Sequence, residues 1–377
     1  MNNLLNLINY GQSYWLDNLT REKISNGELK ERMLMQGLRG VTTNPSIFNK
    51  AISNSNDYDS QMKKLFSENR SIQEVYEELT IKDVQDASDI LRPVYDESDG
   101  VDGFVSLEVS PHLARDTKGT MVEARRLFQK LNRPNCFIKI PGTREGIPAI
   151  EEMLYEGINI NVTLLFEVKT YEAVAEAYIR ALERRAAEGK TIKKVRSVAS
   201  FFLSRIDVLV DSRLSRLSIA DEKKRELPNP KDMFGAAAIA NAKLAYQAFS
   251  KIFSGGRWKA LAEKGAYVQR PLWASTGTKD PKYKDVKYVE PLIGPNTVNT
   301  LPEETIAAFA DHGVAAKDTI LAGVKDAGHV LIDLKRLGIN IDDVGRQLLE
   351  EGLDKFNEAY DILLADLSRK KEKLILK

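Results

Sequence analysis

Cysteine and histidine are scarce in this chain of 377 residues, which contains one cysteine and three histidines. Cys136 has no partner for an internal disulfide and stands in an apolar run, so we expect a small core residue and a protein of the reducing cytoplasm. His112, His312 and His329 lie far apart, without an HExxH motif or a Cys/His cluster. This spacing predicts no metal site.

An excess of either charge is also absent. Lys plus Arg number 55 and Asp plus Glu 54, a net charge of +1, so electrostatics give no reason to expect a nucleic acid or an anionic membrane as a partner. No window reaches the ~18 apolar residues of a membrane span, and the first residues lack the pattern of a secretory signal. The segment STGTKDP lacks the spacing of a P-loop, and no cofactor is predicted.

A Gly/Ser-rich or Pro-rich linker is missing as well, and no internal repeat is visible, so we expect one domain over residues 1–377. What the chain does contain is eight short β-like runs separated by amphipathic helical stretches. This repeated β-then-α order predicts an α/β fold of the (β/α)8 TIM-barrel type. The predicted strands are QSYWLD (12–17), GVTTNP (40–45), GFVSLEVS (103–110), CFIKIPG (136–142), GININVTLLF (157–166), VRSVASFF (195–202), RPLWAST (270–276) and KYVEPLIG (287–294).

The remaining segments are predicted to be helical. The two long gaps between the runs, 46–102 and 203–269, are interpreted as helical insertions. From about residue 302 the chain is rich in Ala, Leu, Lys, Asp and Glu and ends in a predicted long helix. This C-terminal extension packs either on the barrel or on a second subunit, so a homodimer stays open.

Polar residues recur where the predicted strands end, at the barrel face where ligands bind. The run GININVTLLF alternates between an apolar face and a face with amides and a hydroxyl. Taken alone, each polar residue is more often a solvated strand end or a hydrogen-bonded core group. Together they place a lysine, two carboxylates and two amides in one lumen. These residues are Asp17, Asn44, Glu108, Lys139, Asn161, Thr163 and Ser200.

Lys139 interrupts the apolar run CFIKIPG. Because burial disfavours the charged form, we expect part of this lysine to be the free amine, which attacks ketone carbonyls to form a Schiff base. The Schiff-base cation is an electron sink for breaking an adjacent carbon–carbon bond, and Asp17 and Glu108 are candidates to move protons on and off the substrate. The alternative is a structural ion pair between Lys139 and Glu108.

Candidate phosphate-binding residues follow the sixth and seventh runs, where barrels often bind phosphate. Ser200 and Arg205 belong to SVASFFLSRID, and Ser275, Thr276 and Lys279 belong to WASTGTKDP. Their hydroxyls and cations suit phosphate oxygens. A surface or salt-bridging role for Arg205 is the alternative.

In these motifs the chain resembles the transaldolase family, in its longer bacterial subgroup. The segments GVTTNPSIFNKAI, VSLEVSP, FIKIPGT, GIPAIEEMLYEGININVTLLF and SVASFFLSRID are similar to successive strand motifs of that family, in the same order. The resemblance covers roughly residues 12–300, and the lysine strand and the NVTLLF strand are its most specific parts. It implies transfer of a dihydroxyacetone unit from a ketose phosphate, sedoheptulose 7-phosphate or fructose 6-phosphate, to an aldose phosphate, without cofactor or metal.

The resemblance also implies residue roles. Lys139 matches the Schiff-base lysine, and Asp17 the acid/base beside the cleaved bond. The other matches are Glu108 and Thr163 for a proton-relaying water, Asn44 and Asn161 for the dihydroxyacetone part, and Ser200 and Arg205 for phosphate. A further phosphate arginine of the family has no counterpart after the seventh run, where Lys279 stands.

Three functions therefore compete at the level of sequence. The first is a transaldolase. The second is a related class I aldolase that releases free dihydroxyacetone; such relatives have a tyrosine where this chain has Phe202, which favours transfer. The third is a non-catalytic sugar-phosphate-binding barrel, since fold does not fix function. Lys139, Asp17 and Glu108 argue against a pure binder, which has no use for a desolvated amine.

Overall fold

The computed structural model describes residues 3–217 and 227–375. Eight parallel strands pair in chain order and close into a barrel, with β1 paired to both β2 and β8. The predicted (β/α)8 architecture is confirmed. The strands are β1 Gln12–Leu16, β2 Gly40–Val41, β3 Phe104–Glu108, β4 Cys136–Pro141, β5 Ile160–Leu165, β6 Ser197–Phe202, β7 Arg270–Ala274 and β8 Thr297–Leu301.

Helices surround the barrel and make up most of the described residues of both predicted insertions. In the described ranges, no helix has the length and apolar content that a membrane span needs. The helices are α1 Asn3–Asn9, α2 Arg21–Ser25, α3 Glu28–Gln36, α4 Pro45–Ser53, α5 Asp59–Ser67, α6 Ile72–Glu97, α7 Thr117–Leu131, α8 Gly146–Glu156, α9 Val168–Ala187, α10 Ser204–Leu217, α11 Ala237–Ile252, α12 Gly256–Ala262, α13 Glu303–His312, α14 Val324–Arg336 and α15 Ile341–Ile375.

Strand β4 shows how side-chain alternation places the lysine. Cys136 is buried and faces outward, since its Sγ lies 3.1 Å from Oγ of Ser88 on the surrounding helix α6. The next residue, Phe137, faces the lumen, where its ring stacks on Phe104 of β3 at 4.2 Å. Because successive side chains of a strand point to opposite faces, Lys139 also faces the lumen, directly above this aromatic layer.

The position of the eighth strand was predicted wrongly. The segment 287–294 forms a short 3-10 turn at Glu290–Leu292, and β8 is Thr297–Leu301 instead. Pro291 has no backbone N–H to donate to a neighbouring strand, which argues against a central strand. The apolar residues Leu292 and Ile293 are nevertheless fully buried. The segment therefore has the apolar sequence of a buried strand although it does not pair with a neighbouring strand.

The C-terminal extension packs on the barrel. Near the start of α15, Asp342 accepts from Lys169 of α9 at 2.7 Å. Near its end, Lys370 lies 2.8 Å from Asp59 of α5. Since α9 follows β5 and α5 lies between β2 and β3, the helix crosses the carboxyl end of the barrel, where parallel barrels carry their sites.

Candidate active site

A cavity of about 130 Å³ opens at the carboxyl end of the barrel. Its wall contains most of the predicted site residues, which come from different strands and meet because the barrel closes. Glu108 and Asn161 lie outside the wall of this cavity. The predicted residues within it are Asp17, Asn44, Lys139, Thr163, Ser200, Arg205 and Lys279.

A larger cavity of about 500 Å³ lies behind β3, between α6, α7 and α15. Glu108 is part of its lining, but the other charges there are largely paired: Glu77 accepts from Arg126 at 2.5 Å and from Lys130 at 2.6 Å. A site for chemistry needs polar groups that are still available to a substrate. The smaller cavity is therefore the better candidate.

Lys139 is 5% exposed. Its Nζ donates to the backbone oxygen of Thr43 at 2.8 Å and lies 3.5 Å from Oε2 of Glu108. A charge-assisted N–H···O bond is ordinarily about 2.7–2.9 Å long, so the contact with Glu108 is loose. The lysine is thus held in place by a backbone carbonyl, while its carboxylate neighbour stays available for other partners.

Glu108 and Thr163 occupy the strands on either side of β4. Glu108 is directly opposite Lys139 in the β3–β4 register, and Thr163 is opposite Pro141 in the β4–β5 register. Among the described residues, neither Oε1 of Glu108 nor Oγ1 of Thr163 has a hydrogen-bond partner, although both are buried. Burial raises the pKa of Glu108, an effect that the nearby Lys139 opposes. The two groups can therefore exchange protons with a molecule beside the lysine.

Asp17 follows β1, and its backbone N–H donates to the carbonyl oxygen of Leu301 at 2.8 Å. The hydroxyl of Thr42 donates to Oδ1 of Asp17 at 2.7 Å, and it also lies 2.6 Å from the hydroxyl of Thr300. Burial raises the pKa of Asp17, while the Thr42 hydrogen bond and the charge of Lys139 lower it by less. A carboxyl group with a raised pKa is suited to accept a proton from substrate and return it.

The two predicted amides differ in position. Asn44 lines the cavity, and its Oδ1 accepts from the N–H of Ile47 at 3.0 Å, which caps helix α4. Asn161 is fully buried and pairs in register with Lys139. It donates to Ser106 at 3.1 Å and accepts from the hydroxyl of Ser200 at 2.6 Å. Asn161 therefore fixes the Ser200 side chain at the cavity wall.

The candidate phosphate residues Ser200, Arg205, Ser275, Thr276 and Lys279 line the same cavity. Arg205 stands in the first turn of α10, and its Nη1 is buried with no hydrogen-bond partner in the described ranges. Burial lowers the pKa of its guanidinium. Ser275 lies 2.9 Å from Ser204, hydroxyl to hydroxyl, and the hydroxyl of Thr276 donates to the Thr300 carbonyl at 2.8 Å. Besides Lys139, Arg205 and Lys279 are the cationic residues in the described lining of this cavity.

Sequence reasoning missed three contributors. Thr42 bonds Asp17, and the Thr43 carbonyl holds Lys139. Both threonines could have been predicted as site residues, because they lie between the end of β2 and the predicted site residue Asn44. Phe356 reaches the cavity wall from α15, and no local pattern in a long amphipathic helix could have indicated that.

Two of the three scattered histidines take part in surface contacts. His112 lies 2.8 Å from Asp361 and His312 lies 2.9 Å from Asp285. A search of the described residues found no group of three or more His, Cys, Asp or Glu side chains that could hold a metal ion.

Comparisons with known proteins agree with the geometry. The family model described as Transaldolase/Fructose-6-phosphate aldolase matches residues 14–367. A transaldolase of Trichodesmium erythraeum is 49% identical over 99% of this chain and 98% of its own length. Proteins named transaldolase 2 are 48% identical in a Nostoc species, over 98% of both chains, and 47% identical in Streptomyces avermitilis, over 97% of this chain and 96% of the relative. The chain therefore belongs to the transaldolase/fructose-6-phosphate aldolase family.

Proposed function

We propose that this protein is a transaldolase, a transferase that moves a dihydroxyacetone unit from a ketose phosphate to an aldose phosphate. The donors are sedoheptulose 7-phosphate or fructose 6-phosphate, and the acceptors are glyceraldehyde 3-phosphate or erythrose 4-phosphate, as in the pentose phosphate pathway. The observation that carries the proposal is Lys139, which is buried at the cavity wall and bonded to a carbonyl with only a loose contact to Glu108.

The first step is Schiff-base formation at Lys139. The free amine attacks the ketone carbon of the donor, and the carbonyl oxygen takes up a proton to give a carbinolamine. Loss of water from this adduct needs a proton donor next to the leaving hydroxyl. Glu108, with its raised pKa, and Thr163 supply and receive these protons, directly or through a water molecule.

The second step is cleavage of the carbon–carbon bond. Asp17 removes the proton from the donor hydroxyl beside the bond, the bond breaks, and its electron pair moves into the Schiff-base cation to form an enamine. The departing fragment is an aldose phosphate. Attack of the enamine on an acceptor aldehyde, with Asp17 returning the proton, forms the new bond, and hydrolysis then frees Lys139.

Substrate binding divides between the two sides of the cavity. Asn44 holds oxygens of the dihydroxyacetone part. The same role is proposed for Asn161, which lies in register with the lysine that carries this unit, although it is outside the cavity wall. Ser200, Arg205 and Lys279 bind the phosphate end. The wall position of Arg205 and Lys279 supports this assignment.

Transfer is favoured over release of free dihydroxyacetone. Phe202 is buried in the cavity wall beside Phe166, with ring centroids 5.5 Å apart. A phenylalanine offers no hydroxyl to orient a water molecule at the enamine, so an acceptor aldehyde is the expected partner.

The test combines trapping with a transfer assay. Protein incubated with fructose 6-phosphate and borohydride is digested and analysed by peptide mass spectrometry, and we expect a dihydroxyacetone-sized addition on Lys139. With erythrose 4-phosphate present, sedoheptulose 7-phosphate should form much faster than free dihydroxyacetone appears without it. Equal rates would favour the aldolase, and a folded protein that binds the donor without any lysine adduct would favour the binding protein.

We further propose a cytoplasmic location and a single domain, supported by the one buried free cysteine and by the packing of α15 on the barrel. A homodimer stays a prediction, which sedimentation analysis would test.

A further inference from the structure

The helix α15 contributes one face to the cavity. Phe356 lines the cavity and is 6% exposed. One turn earlier, Gly352 faces the barrel, because a β-carbon at this glycine would lie 3.0 Å from Cδ2 of Leu164 and 3.4 Å from Nη1 of Arg205. Residues four apart lie on the same side of a helix. Gly352 and Phe356 therefore approach Arg205 together.

Arg205 is enclosed mainly by apolar groups. Its guanidinium carbon lies 5.3 Å from the ring centre of Phe202 and 6.0 Å from that of Phe356. Its Nη1 is buried and donates to no hydrogen-bond partner within the described part of the chain. A guanidinium that is enclosed by rings, without a fixed carboxylate, is kept available for an anionic ligand.

Strand β5 is shaped to meet α15 at this point. The pairing of β5 with β6 shifts register between Val162 and Leu165, and Leu164 has a φ of +59°. A left-handed conformation is unfavourable at a residue other than glycine, and such irregularities are common beside active sites. Here the irregularity ends the strict alternation of the strand and places Leu164 against Gly352.

The helix is fixed on both sides of this contact. Arg115 forms an ion pair with Glu350, and His112 lies 2.8 Å from Asp361. Further along, Lys370 donates to the carbonyl oxygen of Ile52 at 3.0 Å. Exposed ion pairs contribute little individually, but together these contacts set the position of α15 across the cavity.

We propose that α15 is a positioning element for the phosphate end of the substrate. Gly352 leaves the space in which Leu164 packs beside the Arg205 guanidinium, and Phe356 closes the cavity next to that guanidinium, so that phosphorylated sugars are preferred over unphosphorylated ones. This inference rests on the proposed role of Arg205 as a phosphate-binding cation.

The test is Gly352→Ala, with Gly328→Ala as its matched control. Both glycines lie in helices, but a β-carbon at Gly328 meets no atom within 4 Å, and both variants gain the same helix propensity. We expect Gly352→Ala to raise KM for fructose 6-phosphate about tenfold, which corresponds to about 1.4 kcal/mol. KM for unphosphorylated fructose, and both constants in Gly328→Ala, should change by less than about twofold.

Arg205→Ala, measured in parallel, separates the two layers of the proposal. If Arg205→Ala does not distinguish phosphorylated from unphosphorylated donors, the phosphate assignment itself fails. If it does, while Gly352→Ala affects both donors equally or neither, only the role of α15 is overturned. Should Gly352→Ala fail to fold, Phe356→Leu carries the same comparison, and an increase in KM confined to the phosphorylated donor would support the inference.

Discussion

The two ends of the barrel each hold a buried ion pair, and the pairs differ in their surroundings. At the amino end, Arg270 lies 3.0 Å from Asp102, and it also donates to the Ser13 hydroxyl at 2.6 Å and to the Thr297 carbonyl at 2.7 Å. At the carboxyl end, Lys139 and Glu108 are 3.5 Å apart, and Oε1 of Glu108 has no described partner.

This difference is the one expected between a structural ion pair and the reactive pair of the proposed mechanism. Asp102 accepts from Ser13 at 2.7 Å and from Trp15 at 3.3 Å in addition to Arg270. Both Nη atoms of Arg270 donate hydrogen bonds, and among the described residues only its Nε lacks a partner. Buried polar groups that are already bonded stabilise the fold, whereas groups left without partners carry a desolvation cost that a ligand can relieve. The polar groups at the carboxyl end therefore stabilise the fold less, but they are available to bind a ligand.

The largest effect is expected from Lys139→Arg, which tests whether the pair at the carboxyl end is reactive. Guanidinium keeps its proton and is no nucleophile, so we expect turnover to fall by at least about 10⁴-fold, as for loss of other covalent nucleophiles. The borohydride-trapped adduct should disappear with it, while the melting temperature changes little. Residual turnover above about 1% of the original would remove Lys139 from the covalent role.

The next largest effect is expected on stability, at the other end. Asp102→Asn keeps the shape of the side chain but leaves Arg270 buried without its counter-charge, and we expect a loss of about 3 kcal/mol in the free energy of unfolding. Urea denaturation measures this change. The matched variant Glu108→Gln should cost less than about 1 kcal/mol, because the contact of Glu108 with Lys139 is loose and the Thr43 carbonyl still accepts from that lysine. A larger loss of unfolding free energy in Glu108→Gln than in Asp102→Asn would mean that the pair at the carboxyl end is the structural one.

The smallest expected effect is a shift in pH dependence. In the proposed mechanism Asp17 acts as a carboxylate, and its pKa is raised by burial, so activity should be lost as the pH falls through that raised pKa. Thr42→Val removes a hydrogen bond to the charged form, which raises the pKa further and moves the acid limb of kcat/KM upward by roughly one pH unit.

The control for this shift is Thr276→Val, whose hydroxyl donates to the Thr300 carbonyl and not to a carboxylate. Its acid limb should stay in place. If the acid limb of kcat/KM in Thr42→Val lies at the same pH as in the unmodified protein, or at a lower pH, then Asp17 does not control that limb.

Sequence reasoning succeeded where a local pattern decides the structure. The strands around Lys139 alternate with period two, and one register row places Glu108, Lys139 and Asn161 side by side. It failed at β8, where an apolar segment with Pro291 was buried without pairing. Burial and strand pairing produce similar sequences, and only the neighbouring strands distinguish them.

The sequence alone specifies the order of β and α elements and the inward direction of Lys139. Alternation in a strand is a local property of the backbone, so it can be read without knowing the fold. The tertiary structure decided the partners of those side chains. The approach of Gly352 and Phe356 to Arg205 joins residues about 150 positions apart, and it depends on how one helix lies across a closed barrel. Contacts of that kind arise from packing geometry, which no short stretch of sequence encodes.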